Sequence, residues 1–239
     1  MSDRIPNSAS SGEPSGEPIG GSYVPPRVIG LTGGVGMGKT TVSDYLANVH
    51  HLPVLDADLY AREAVEPGSK LLPEIVERYG SSVLTPQGRL DRMRVGEIIF
   101  NRQPERLWIE QQIHPYVRDR MTTELKRLGK QGCSTCVLAI PLLFEARMTD
   151  LTTEIWVVVC PLDQQVERLM QREIESTVRE HLSFNQVQAR INSQMPIDQK
   201  IKLADVVLDN SSTLEALLLQ VDTALNSTPA SPFTVSSQL

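Results

Sequence analysis

Gly33-Gly34-Val35-Gly36-Met37-Gly38-Lys39-Thr40 decides how this chain folds. The stretch fits G-x-x-x-x-G-K-[ST], with Arg27-Val28-Ile29-Gly30-Leu31 before it and Thr41-Val42-Ser43-Asp44-Tyr45-Leu46-Ala47 after it. The first flank reads as a buried strand and the second as the opening of a helix, the context that turns the pattern into a phosphate-binding loop. Glycines let the backbone turn so that its N–H groups point at phosphate oxygens, and the positive end of the helix favours the same anion. Gly33 to Thr41 would therefore cradle ATP, with Lys39 reaching its β- and γ-phosphates and the Thr40 hydroxyl on Mg²⁺. An incidental Lys-Thr after a glycine turn would need neither flank.

Reading outward, strands and helices alternate, which points to a parallel sheet covered on both faces. The strands are read at Val28–Leu31, Pro53–Leu55, Val137–Ile140, Ile155–Val159 and Val206–Leu208. The expected fold is α/β: a P-loop kinase core of five parallel strands at 27–60 and 133–226. Helices are read from Lys39 to Val49, from near Asp163, and from Ser212 to Leu225. Residues 61–132 show only helical periodicity and far exceed a simple crossover, which needs about a dozen residues. They read as a helical insert that grips a second substrate. A polar stretch at about 173–187 reads as a lid between two helices. Residues 1–26 and 227–239, rich in Ser, Gly and Pro, read as disordered tails.

Composition narrows the class. A net charge of −6 and a pI of about 5.3 argue against general nucleic-acid binding. No apolar run reaches the length of a membrane span, and the N-terminus lacks a secretory layout. Three cysteines suit a reduced, cytoplasmic compartment, and a monomer or weak oligomer is expected. Cys133 and Cys136 form a C-x-x-C, but no second ligand pair follows and Cys136 leads into a strand, so both read as packing residues.

A phosphate loop alone does not name a reaction. No N-K-x-D element marks a GTPase, and no apolar strand ends in the Asp-Glu of an AAA-type ATPase. A small-molecule kinase is the leading class, with a nucleotide-binding regulatory module as the alternative. A kinase acting on a hydroxyl needs a base near the loop. Asp56 and Asp58 close the second strand, whose end should lie beside the loop, and their alternation should turn both to one side. One aspartate can serve as base while the other caps the next helix. Arg168 and Arg172, spaced i, i+4, can screen the moving charge. Arg62, four residues after Asp58, shares its helix face and could contact the acceptor. His114-Pro115 breaks the helical pattern of the insert, leaving His114 as a further substrate candidate.

The residues resemble the dephospho-CoA kinase family, whose members catalyse the last step of coenzyme A biosynthesis. The resemblance rests on Leu31 to Thr41, Asp56-Ala57-Asp58-Leu59-Tyr60-Ala61-Arg62, Val65-Glu66-Pro67-Gly68, Arg89-Leu90-Asp91-Arg92, Ile98-Ile99-Phe100 and His114-Pro115. It continues through Ile140-Pro141-Leu142-Leu143-Phe144-Glu145, Arg168 to Arg172, and Ala204-Asp205-Val206-Val207-Leu208-Asp209-Asn210. It implies transfer of the ATP γ-phosphoryl group to the 3′-hydroxyl of dephospho-CoA, within a core, a CoA-binding insert and a lid. It also implies Asp58 as base and Arg168 and Arg172 as lid arginines. The chain departs from the family between Arg172 and Gln188, where the lid is longer and carries Arg179.

Overall fold

The computed structural model describes residues 27–100, 102–175 and 183–227. The expected tail at 1–26, all of the expected tail at 227–239 but Ser227, and residues 176–182 of the expected lid with Arg179 lie outside them. The strands are β1 (Arg27–Gly33), β2 (Val54–Asp56), β3 (Thr135–Ala139), β4 (Glu154–Val159) and β5 (Val206–Asp209). The helices are α1 (Lys39–Asn48), α2 (Ala57–Glu63), α3 (Leu71–Tyr79), α4 (Arg92–Phe100), α5 (Gln103–Lys130), α6 (Leu162–Glu175), α7 (Phe184–Asn192), α8 (Ile197–Lys202) and α9 (Leu214–Asn226).

The five strands form one parallel sheet in the order β2-β3-β1-β4-β5. Successive residues of a strand face opposite sides, and the apolar runs fill both. On one face Val28, Cys136, Leu138 and Ile140 pack against Val117, Met121 and Leu128 of α5. On the other, Ile29, Leu31, Val137, Trp156 and Val158 meet Val42 and Leu46 of α1 and Leu217 and Val221 of α9. Arg27 fastens the edge of this layer: its guanidinium pairs with the buried Glu154 and donates to the carbonyls of Leu225 (2.6 Å) and Ala224 (3.1 Å) in the last turn of α9.

Two sequence expectations need correction. The end of β2 does not lie beside the phosphate loop, because β3 pairs between β2 and β1. All strand ends still share one edge of the sheet, which keeps both within reach of one site. Pro115 does not break the helix either, since it lies inside the 28-residue α5. Proline in a helix interior costs about 3 kcal/mol or more. Val117 (3% exposed) and Met121 (0%) follow it, and burying each stabilises by about 1.5–3 kcal/mol, enough to carry the helix through.

The first half of α5 belongs to a second cluster, with Ile109 packed among Ala64, Val65, Ile75, Val83 and Val95. Arg78 ties α3 to α5 there. Its Nε and Nη2 donate to the two carboxylate oxygens of Glu105 at 2.8 and 3.2 Å, and its guanidinium lies 4.6 Å from the Trp108 ring centre. The Tyr79 hydroxyl donates to the same carboxylate at 2.7 Å, and burial followed by that bond pushes its pKa up to about 12. The bonds from Arg78 and then Tyr79 hold the Glu105 carboxyl below its ordinary value.

A carboxylate with a depressed folded pKa stabilises the fold above its unfolded pKa, about 4.3, and loses that contribution as pH falls through the lower folded value. Urea unfolding of the Glu105→Gln variant should therefore show a lower midpoint than the parent at pH 6. The gap should close as pH is lowered below about 4. A gap that stays constant with pH would remove the ion pair from the account.

Candidate active site

β1 delivers Gly33 to the edge of the sheet, and the loop after it turns into α1 at Gly38. Gly38 has φ 100°, in the left-handed region, and a Cβ there would lie 2.2 Å from the Asn210 amide nitrogen. That contact is a bond: Asn210 Nδ2 donates to the Met37 carbonyl at 2.9 Å. Two further amides grip the loop. Gln165 Nε2, from the buried side of α6, donates to the Val35 carbonyl at 2.7 Å. The Val35 N–H in turn donates to Gln194 Oε1 at 3.0 Å.

A cavity of about 630 Å³ opens over this loop, a volume ample for small-molecule substrates. Gly33, Gly34, Val35, Gly36, Gly38, Lys39 and Thr40 form one wall. Asp58 and His114 line it from the helical side, and Arg172 from the end of α6. A second cavity of about 400 Å³ adjoins the loop at Gly36, Gly38 and Thr41, with Arg168, Arg172 and Asn210 around it. Arg172 thus lines both. Arg168 lines the second alone, anchored by Nη2 to the Asn210 carbonyl at 2.9 Å, while its buried Nη1 has no hydrogen-bond partner among the described residues.

The two aspartates part company. Asp56 ends β2 and caps α2, its Oδ1 accepting from the Asp58 N–H at 2.8 Å. Asp58 stands in the first helical turn, not in extended chain, so the two side chains do not share one side as expected. Asp58 lines the cavity, whereas Asp56 and the exposed Arg62 line neither of the two cavities. Met37 is buried under the loop.

The sequence reading missed several lining residues. Arg106, Glu110 and His114 recur every four residues along α5 and all face the cavity, a spacing that the sequence does carry. Arg190 and Gln194, at and just after the end of α7, close the same wall. Gln165, Gln194 and the bond from Asn210 to the Met37 carbonyl leave no local signal, because an amide in a polar helix or turn is unremarkable until its partner is known. Glu145, after β3, also lines the cavity.

For a divalent cation the donors present are oxygen: the Thr40 hydroxyl, Asp58 and whatever phosphate is bound. Such a sparse set suits Mg²⁺, which keeps several waters and binds through one or two carboxylates and substrate phosphates. Among the described residues no group of three or more His, Cys, Asp or Glu could hold a metal by itself. Of the C-x-x-C, Cys133 is half-buried and Cys136 is buried in β3, where burial pushes its thiol up to about 11. No helix among the described residues is long and apolar enough to cross a membrane.

Residues 27–216 match the family model for dephospho-CoA kinase. Dephospho-CoA kinase of Trichormus variabilis is 56% identical over 200 residues, covering 84% of this chain and 97% of the relative. That of Synechocystis is 51% identical over 195 residues, covering 82% and 92%. Among solved structures, the Thermus thermophilus protein TT1252 superposes with a TM-score of 0.67 at 33% identity, covering 85% of this chain and 99% of that one. Dephospho-CoA kinase from Campylobacter jejuni, at 24% identity and a TM-score of 0.61 over 83% and 94%, shares the fold. A phosphate loop, a carboxylate facing it across one cavity and similarity of this extent place the chain in the dephospho-CoA kinase family.

Proposed function

We propose that this chain transfers the γ-phosphoryl group of ATP to the 3′-hydroxyl of dephospho-CoA, giving CoA and ADP. The observation that carries the reading is the shared cavity: the phosphate loop, Asp58 and the polar face of α5 line one space.

Each residue then has a task. Loop N–H groups and Lys39 hold the β- and γ-phosphates, and their fixed dipoles stabilise charge that spreads in the transition state. The Thr40 hydroxyl is the group that would hold Mg²⁺ on the phosphates, where the cation neutralises developing charge. Asp58 accepts the proton of the 3′-hydroxyl as the oxygen bonds to the γ-phosphorus. The bond from that phosphorus to the β–γ bridging oxygen breaks, and its electron pair leaves with ADP. Asp56 acts through its cap, holding the first turn of α2 and hence Asp58. Arg172, on the border between the two cavities, screens the transferred group. Arg168 serves the nucleoside end of ATP in the second cavity. His114, with Arg106 and Glu110, faces the acceptor from α5. Arg62 takes no part in this assignment.

The finer organisation belongs to the same proposal. Residues 27–60 and 133–226 form the catalytic core, about 61–132 the CoA-binding insert and about 173–187 a lid, with Arg190 of α7 at the cavity beyond it. The acidic composition and free cysteines support a cytoplasmic enzyme, monomeric or weakly associated, with no nucleic-acid or membrane partner.

Incubation with Mg-ATP and a panel of hydroxyl acceptors should yield ADP with dephospho-CoA far faster than with shikimate, gluconate or nucleoside acceptors. Equal turnover of another acceptor would reassign the substrate. Replacing Asp58 by Asn should lower kcat by about 10²–10⁴-fold, the usual contribution of a positioned base, while ATP affinity stays near the parent value. Undiminished turnover would dismiss Asp58 as base.

A further inference from the structure

The Gln194 amide is held in one orientation by the loop it touches. Its oxygen accepts the Val35 N–H at 3.0 Å, so the two N–H groups on its nitrogen occupy the other end of the side chain. Those two donors have no partner among the described residues, and the half-buried side chain lines the 630 Å³ cavity beside Gly33, Gly34, Lys39 and Thr40. An amide whose oxygen is turned to the loop at Val35 offers a ligand chiefly the two donors on its nitrogen. Beside a loop that binds a triphosphate, donors meet phosphate oxygens.

The segment bearing Gln194 is fixed from beneath. The next residue, Met195, donates its N–H to Glu145 Oε1 at 2.9 Å. That carboxylate pairs with Lys200 Nζ at 3.0 Å, and Lys200 is fully buried. Lys200 Nζ also donates to the Pro141 carbonyl at 3.3 Å, which accepts the Thr32 hydroxyl of β1 at 3.0 Å. Hydrogen bonds thus run from β1 through the end of β3 and α8 to the turn after α7, and return to the loop at Val35. With Lys200 sealed and Glu145 half-buried, desolvation offsets much of the pair's attraction, so what it supplies is geometry.

We propose that Gln194 is a catalytic residue of this kinase: its amide donates to the terminal phosphoryl oxygens of bound ATP, with Glu145 and Lys200 as the positioning pair that holds it there. The proposal rests on the kinase reading above. Gln194 forms no bond to the phosphorus and accepts no proton; it stabilises the oxygens while the phosphoryl group passes to the acceptor. The competing account makes Gln194 a brace for the Val35 amide and nothing more.

Gln194→Glu and the uncharged Gln194→Met separate the two together: the carboxylate can still accept the Val35 N–H but has no donor left and adds a charge, whereas Met adds no charge and removes acceptor and donors alike. Kinetics and the affinities for ADP and for the β,γ-imido analogue of ATP should be measured on parent and variant. The expected result is a fall in kcat of about 10²-fold or more, the scale of losing a donor to transition-state charge. ADP affinity should stay within about two-fold, and the preference for the imido analogue over ADP should shrink. A kcat within about three-fold of the parent, with that preference intact, would overturn the proposal and leave the brace. In Gln194→Met, loss of the brace alone would weaken ADP and the imido analogue alike, so a shrunken preference for the analogue with ADP affinity kept marks the lost donors, and an intact preference overturns the proposal. Glu145→Ala should lower kcat in the same direction with ADP affinity kept; an unchanged kcat would strike the positioning pair from the proposal. If the parent itself fails to phosphorylate dephospho-CoA, the substrate reading falls. The change in analogue preference then still decides the role of Gln194.

Discussion

A loop that turns its N–H groups toward a phosphate cannot also use them in helix or sheet, so its backbone needs support from elsewhere. That support is the constraint on which the site depends. Here it comes from three side-chain amides on three separate elements: Gln165 on α6, Asn210 after β5 and Gln194 after α7. Each satisfies one backbone group of the loop, at Val35 or Met37. The loop is therefore held by parts of the chain that lie more than a hundred residues later, and the sheet must close before the loop is rigid. The glycines follow from the same demand. Asn210 can reach Met37 only because Gly38 has no Cβ, and Gly36 approaches Leu169 at a distance where a Cβ would meet its Cγ at 2.8 Å.

What the sequence disclosed and what it withheld divide along this line. The phosphate loop, five strands and the flanking helices are written in local pattern: a glycine signature, short apolar runs, and stripes such as Leu217 and Val221. Asp58 and Arg172 were legible because they sit at element ends, where chemistry collects in an open parallel sheet. The order of strands was not, and neither was the place of β3 between β2 and β1, since sequence periodicity carries no neighbour information. His114 lines the cavity for a reason other than the one that singled it out. Its Pro115 neighbour suggested a helix break, whereas the helix continues and His114 faces the cavity from within it. Arg62 failed because sharing a face with Asp58 on a seven-residue helix did not bring it to the cavity. Gln165 and Gln194 were invisible, as their partners are backbone atoms with no residue identity to read.

The helix α5 shows how one stripe can serve two ends. Along the same face, Val117 and Met121 are sealed under the sheet while His114, Glu110 and Arg106 emerge into the cavity. The polar half is thus placed by the apolar half: register in the core fixes which side chains face the site. Its other flank is tied to α3 through Arg78, Glu105 and Trp108, so α5 is clamped at both levels. A cavity-facing helix so anchored can present charged groups without needing them to hold the fold.

The pair of buried Lys200 and half-buried Glu145 fits the same logic. Neither residue gains the fold much, because taking two charges out of water costs about what their attraction returns. An apolar pair would fill the space as well. It could not accept the Met195 N–H, donate to Pro141 or fix the turn that carries Gln194. Glu145 also stands at the cavity wall, where an unpaired carboxylate would repel a triphosphate; with Lys200 at 3.0 Å its charge is balanced. The pair therefore makes an acid tolerable beside phosphate while using that acid to position a donor, and this explains why charge is buried at a point where stability alone would favour hydrocarbon.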